Sequence, residues 1–562
     1  MGRVSKKIYW AGAGAVFLLV LFLALAFIVP RVVDSAWLQK SIKKEAAKHC
    51  NGRLDFYRAE ISILPSPSVI LRQVNLSIPE SADLTFDNIR IQAKLLPLIS
   101  GNIQFDQVVL DKPDFSLQLP EMSRQKTDRK PAPNLSEILE IASVKLSPLV
   151  AAIPDLSLGI QQGTLSLFAD DKQVLLIENI AGTSHFNNKS LSAAISCRSN
   201  IWESMELQAE FTPGAKEGKG RVALKQLNSK TLADYFLPGE KGLAEGSVAS
   251  LQVNSSISPE SGLSADIKGA ELSFAVLHED KKIPARVENL QGSIQHTDEF
   301  SSITVADITF SYPRVHLSGS FKFDPTVPHA GLAIKSQNSD LKSVAQVLPV
   351  FLNAVFGEME VVEEIFNITR GGMVSEASLH IDGKSPADLA VFESMRIRGN
   401  IQNADITLAD LGLDLHGVTG EVAISNGVMA GKNLQAKLGD THGSNGTLVL
   451  GLIKKKTTPF QLDLELNADL TDVFSTMKQL LPDKNLQHYL TLFESTEGTS
   501  QGRLTLGKSL ESLTARVEVD KVQALVNFKP IPYPIRIDGG RIIYDGKRLE
   551  SYNMQGKIGN SS

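Results

Sequence analysis

Through most of this chain, apolar and polar residues alternate with a period of two. In residues 461–470, Leu462, Leu464, Leu466, Ala468 and Leu470 fall on one side, and Asp463, Glu465, Asn467 and Asp469 fall on the other. Ile89, Ile91, Ala93 and Leu95 alternate with Arg90, Gln92 and Lys94 in the same way. Successive Cβ atoms of a strand point to opposite faces, so this pattern predicts strands with one apolar and one wet face. One-sided strands of this kind belong to antiparallel sheets. Gly, Asn-Gly and Asp-Gly steps punctuate the runs and predict hairpin turns.

Two segments near the N-terminus depart from this pattern. Residues 9–29 are uncharged and rich in Leu, Phe, Ala and Val. As a helix they would span roughly 30 Å, the thickness of a bilayer core. Arg3, Lys6 and Lys7 precede the run, whereas only Arg31 follows closely before Asp34. That bias predicts a cytoplasmic N-terminus, with the chain from about residue 31 outside. Ala24-Leu25-Ala26 resembles a signal-peptide cleavage site, but Phe27-Ile28-Val29 carries the apolar run past it, which favours an uncleaved anchor. Asp34 to Lys48 then predicts a helix with Trp37, Leu38, Ile42 and Ala46 on one stripe, stopped by Asn51-Gly52.

A repeat organises the rest. Segments starting at Gly292, Gly420 and Gly540 share the order glycine, short strand, turn, second strand, third strand. A weaker copy starts at Gly182. Between the copies recurs a helical signal ending in proline, at Ser229–Pro238, Ser339–Pro349 and Asp469–Pro482. Residues 120–134 read as a polar linker. Asn134 and Glu137 then resemble a capping box for a helix with Leu135, Ile138, Leu139 and Ala142 on one face. The expected divisions are a cytoplasmic tail (1–8), an anchor (9–29), an N-terminal module (30–120), a linker and helix (121–153), and β units at 154–240, 241–350, 351–486 and 487–562. The last unit stops before the strand that continues the earlier copy at Ser444–Leu448, so the pattern predicts further β-structure beyond Ser562. The expected fold class is mainly β: an elongated, repetitive, antiparallel and curved sheet with short inserted helices, preceded by one N-terminal transmembrane helix.

Composition narrows the function. An apolar fraction of 43% supports a folded core, and a net charge of −5 leaves no electrostatic footprint for nucleic acid. Cys50 and Cys197 are too few and too distant for a disulfide scaffold or a zinc site. The ten histidines are scattered without metal-ligand spacing, and there is no phosphate-binding loop. Ser-x-x-Lys occurs at Ser41/Lys44, Ser339/Lys342 and Ser475/Lys478 without companion motifs. No enzyme, cofactor or metal is therefore expected. What remains is the apolar sheet face, which must be covered by a second sheet or must line a groove for an apolar ligand. Its candidate lining residues are Ile89, Ile91, Ala93, Leu95, Leu462, Leu464 and Leu466.

Several stretches resemble the AsmA family of bacterial envelope proteins. They are the anchor, Asn51-Gly52-Arg53-Leu54, the segments Ile63–Pro79 and Phe86–Leu119 with Pro97–Gly101 and Lys112-Pro113, and Ile160–Leu167, and the repeats from Gly182 onward resemble the C-terminal region of the larger members. The resemblance implies a protein held in the inner membrane by residues 9–29, with its bulk in the periplasm. It also implies similarity to bridge-like lipid transfer proteins, whose β-sheet groove carries phospholipid between inner and outer membrane and supports outer-membrane biogenesis. An outer-membrane or periplasmic protein partner is a further expectation. The alternative is a non-enzymatic structural or assembly factor for outer-membrane proteins or lipopolysaccharide, with a closed β core.

Overall fold

The alternating segments form strands, 26 of them among the described residues. The computed structural model describes Lys40 and, with short interruptions, residues 53–559. The larger stretches outside the described residues are 1–39, 41–52, 119–134, 232–242, 357–364 and 481–486. The expected anchor at 9–29 and nearly all of the expected helix at 34–48 therefore lie outside the described residues. No described helix is long and apolar enough to cross a membrane. The chain divides into two compact units. One comprises Met1–Glu240, Gly246–Gly269 and Gln295–Asp298; the other comprises Lys241–Glu245, Ala270–Ile294 and Glu299–Ser562.

The first unit begins with an antiparallel meander of β1 (Arg53–Ser62), β2 (Ser68–Ile78) and β3 (Ala82–Ala93). Its core is Phe56, Ala59, Leu71, Val74 and Phe86. The short helix α1 (Leu95–Ile99) follows β3. The alternation therefore misplaces Leu95, which opens this helix 42% exposed and leaves the strand face at Ala93. Pro97 is the physical reason. It cannot donate to a strand ladder, but it is tolerated in the first turn of a helix.

β4 (Phe105–Asp111) and β5 (Asp114–Gln118) both pair antiparallel with β3. Between them, Lys112 has φ 44° and Pro113 supplies no N–H. β6 (Ser157–Ala169) then runs parallel to both. Parallel neighbours need a long crossover, and residues 119–156 provide it. The crossover contains α2 (Leu135–Ala152), which buries Leu139. Asp298 accepts hydrogen bonds from the Leu135 N–H (3.2 Å) and the Ser136 hydroxyl, while the Ser143 hydroxyl donates to the Pro213 carbonyl at 2.8 Å. From β6 the ladder is antiparallel through β7 (Lys172–Phe186), β8 (Leu191–Ser199), β9 (Ser204–Thr212), β10 (Glu217–Leu227) and β11 (Leu243–Ser258). β12 (Gly262–His278) and β13 (Lys281–His296) contribute residues to both units.

In the second unit each strand pairs antiparallel with the next. The series is β14 (Ser301–Tyr312), β15 (Val315–Asp324), β16 (His329–Asp340), β17 (Thr369–Gly383), β18 (Met395–Leu408), β19 (Leu413–Ser425), β20 (Val428–Leu438), β21 (Thr441–Gly451), β22 (Pro459–Asp469), β23 (Phe493–Ser509), β24 (Leu513–Phe528), β25 (Ile535–Tyr544) and β26 (Leu549–Ile558). Two of the predicted helices appear after β16 as α3 (Leu341–Phe356) and after β22 as α4 (Leu470–Leu480), while the one expected at Ser229–Pro238 lies mostly outside the described residues. Pro349 was expected to end α3, but the helix runs through it. The proline removes one internal hydrogen bond, and the buried Val344 and Val347 hold the preceding turns in place. Helix α4 starts where the alternation predicted a last strand residue. The Asp469 carboxylate caps it by accepting from the Thr471 N–H at 2.8 Å. Leu470 remains buried all the same.

The alternation also slips phase inside strands. In β18 the more buried positions are Ile397, Gly399 and Ile401, and then Ala404 and Ile406. The shift falls at Gln402-Asn403, both exposed, with Asn403 at φ 49°. Lys432-Asn433 does the same in β20, and Asp520-Lys521 in β24; Asn433 and Lys521 both have φ 52°. Gln162, Asn179, Gln226 and Asn338 take the same left-handed conformation in β6, β7, β10 and β16. At Gln162, Asn179, Asn403, Asn433 and Lys521 the register shifts, the mark of a β-bulge, which adds a residue to one strand and bends it. Facing two of these bulges are Gly420 and Gly540, with φ 151° and 134°. The glycines that open two copies of the repeat thus mark bulges within strands.

Candidate apolar groove

Cross-strand register decides whether one-sided strands add up to a continuous surface. In the first unit they do. A row of directly paired residues runs from Ala59 in β1 through Ile89 in β3 and Ile160 in β6 to Val253 in β11. Every member is apolar, with Gly182 in β7 the smallest. A second row passes from Ile61 through Ile91 and Leu158, then continues with small side chains at Ser184, Ala193, Ala209 and Gly220. Ile89 packs against the core of the first three strands, whereas Ile91 and Ala93 are half-buried.

In the second unit, Leu464 pairs with Leu504, which continues through Val517 and Tyr544 to Leu549. Leu466 pairs with Gly502, continuing to Val519 and Ile542. Leu462 pairs with Leu506 and Leu448. Leu462, Leu464 and Leu466 are all half-buried. Of the proposed lining residues, the structure therefore aligns Ile89 and Ile91 across the first unit and Leu462, Leu464 and Leu466 across the second. Leu95 stands apart from both sets.

The bend beside α4 encloses an apolar cavity of about 370 Å³. Leu466 and Ala468 form one side, Val519 and Ala524 lie on either side of the β24 bulge, and Val473 and Phe474 of α4 lie over them. Phe474 contacts Phe493 with ring centroids 5.3 Å apart. Helix α4 is fixed at its start by the Asp472 carboxylate, which accepts from the Asp440 N–H at 2.7 Å, and by the Thr471 hydroxyl, which donates to the Thr496 carbonyl at 3.1 Å. Alternation alone did not reveal Val473, Phe474 or Ala524. The usable signal was the exposed polar doublet, such as Asp520-Lys521, that marks a phase change.

The opposite face carries the charge. Arg503 donates to both oxygens of Asp463, at 2.7 and 3.0 Å. Hydrogen bonds from Arg516 and Arg541 hold the Glu518 carboxyl below its usual range. These pairs are exposed, so each contributes little to stability. Among the described residues, no group of three or more His, Cys, Asp or Glu side chains is placed to hold a metal ion. Burial pushes the Cys197 thiol upward, which keeps it protonated and unreactive.

Residues 6–209 match the model of the AsmA family. That stretch of the chain is AsmA-like. The AsmA match takes in β1 to β8 and enters β9, so it includes the first-unit strands that carry Ile89 and Ile91. The structure beyond it, including the cavity under α4, lies outside the matched AsmA region. No curated protein and no solved structure matches the chain.

Proposed function

We propose that this protein is a member of the AsmA family, anchored in a bacterial inner membrane by residues 9–29, with its bulk in the periplasm. There it carries phospholipid along its apolar sheet face between the inner and outer membranes, without catalysis or a cofactor. The observation that carries this reading is the register that lines up apolar residues across β1 to β11 and again across β22 to β26. Such a surface gains about 0.8 kcal/mol for each methylene it takes from water, so lipid can be held without a specific polar contact. The charged face lies behind it, out of the path.

Site-specific photo-crosslinking in cells tests the proposal. A photoreactive residue at Ile91 or Leu464 should capture phospholipid, and one at Arg90 or Glu465 on the wet face should not. Protein-only adducts at Ile91 and Leu464 would leave the alternative, an assembly factor with a closed core. A reporter fused after residue 120 should be active only outside the cytoplasm; cytoplasmic activity would overturn the placement.

A further inference from the structure

We infer that the cavity beneath α4 is a resting site for a single aliphatic chain and does not read the lipid head group. This rests on the lipid-carrying reading above and adds where a chain stops and what is recognised there. The cavity lies wholly within the second unit. Its volume of about 370 Å³ is well above that of packing voids. An engineered apolar cavity of about 150 Å³ already stays dry and binds benzene. At roughly 30 Å³ per water-sized group, the present space accommodates about twelve methylenes. One chain of a membrane lipid fills that volume, with the remainder of the molecule outside.

The absence of head-group reading follows from where the charges point. Two charged residues border the cavity, Arg503 and Glu518. Arg503 pairs with Asp463, while Glu518 pairs with Arg516 and Arg541. In each case the charged end is engaged on the wet face of the sheet. Their strand neighbours Leu504, Val517 and Val519 belong to the apolar rows. The rest of the lining is mainly aliphatic or aromatic, with Leu466, Ala468, Val473, Phe474, Val522 and Ala524, and its other polar groups are the neutral hydroxyls of Thr496, Ser500 and Tyr544. A phosphate or ammonium group placed there would be desolvated without an unpaired charge to meet it, which is costly. The cavity therefore admits the part of a lipid that all phospholipids share.

The bend supplies the depth. In β24 the phase change at Asp520-Lys521 brings Val519 and Val522 to the same cavity, although their odd and even positions would place them on opposite faces of a regular strand. Helix α4 supplies the roof and is fixed to the sheet at its first turn. Together they make an enclosed recess on a sheet face that is otherwise open to sliding.

The test uses the full chain in its native membrane, with a photoreactive residue at Leu466 or at Ile91 and the adducts weighed by mass spectrometry. Lipid adducts at 466 should show head-group ratios within about twofold of the bulk membrane. The double substitution Ala468→Leu and Ala524→Leu fills the recess with aliphatic carbon. It should lower lipid capture at 466 at least tenfold while leaving capture at 91 unchanged, and undiminished hydrogen-exchange protection of β22 to β24 reports that the second unit is folded. Enrichment of one head group by tenfold or more at 466 would overturn the inference. So would undiminished lipid capture in the filled variant. A crosslink from 466 to residues 481–489 of the same chain, in place of lipid, would show the recess filled by protein and reject it. If 91 captures lipid and 466 does not, the resting site fails and the carrying function stands. If neither position captures lipid, both fail.

Discussion

Gly498→Val is expected to destabilise the β22–β26 region by at least about 3 kcal/mol. Gly498 has φ 128°, a conformation that side chains other than glycine rarely adopt. A Cβ built there lies 2.0 Å from the Gln523 carbonyl oxygen and 2.8 Å from the Ala524 Cα. Both atoms are backbone of the neighbouring strand, so no rotamer change relieves the overlap. Relief requires β23 and β24 to part at the bulge, and Val522, Ala524 and Val526 form the core there. Native-state hydrogen exchange of the full chain should show the loss of protection concentrated in β23 and β24. Asn433→Gly is the matched control. Asn433 holds its left-handed conformation without glycine, and replacing it should change stability by only a few tenths of a kcal/mol. Equal effects from the two substitutions would show that the bulges are not structural fixtures.

The second large effect is functional. Leu464→Asp should cut lipid movement past β22 at least tenfold, a factor that needs only about 1.4 kcal/mol. A carboxylate in apolar surroundings costs more than that. Leu464 lies over Gly443 and Gly446 of β21 and beside Leu504, so the new charge would sit between apolar neighbours. Leu464 is half-buried, so its replacement need not unfold the strand. The readout is lipid capture on the two flanks, at Leu434 in β20 and Val517 in β24. Capture should persist on one flank and fall on the other. Glu465→Lys places its charge on the wet face, losing the hydrogen bond from the Asn445 amide and the attraction to Arg503 opposite. It should leave both flanks unchanged. Unchanged capture on both flanks in Leu464→Asp would reject passage along this face.

The two expectations rest on different information. The apolar face of β22 was readable from the chain alone, because Leu462, Leu464 and Leu466 alternate with charged residues over a full strand. The bulge at Asp520-Lys521, two residues along the ladder from Gly498, was not. The Gly-Thr-Ser-Gln-Gly run from Gly498 to Gly502 is compatible with a turn, and only pairing with β24 makes Gly498 part of a ladder. Leu95 failed for a related reason: the alternation from Ile89 continues through it on paper, while Pro97 sets the local backbone.

Strand character, the wet and dry faces, the helices after Ser339 and Asp469, and the lack of a recognisable catalytic motif were determined by the sequence itself. These are local properties: the side-chain period of a strand is two, and a cap acts within three residues. The AsmA resemblance was carried by similarly short segments, and the family match covers those up to residue 209 but not the later repeats. Tertiary structure alone decided which apolar residues stand beside one another. A single residue in the left-handed conformation reverses the facing of everything after it, so Val519 and Val522 meet across Asp520-Lys521. Register then aligns Ile89 with Leu110 and Ile160, and Leu464 with Leu504 and Val517. The recess beneath α4 exists because a bend, a helix and several strands converge, and no local pattern encodes the space left between them.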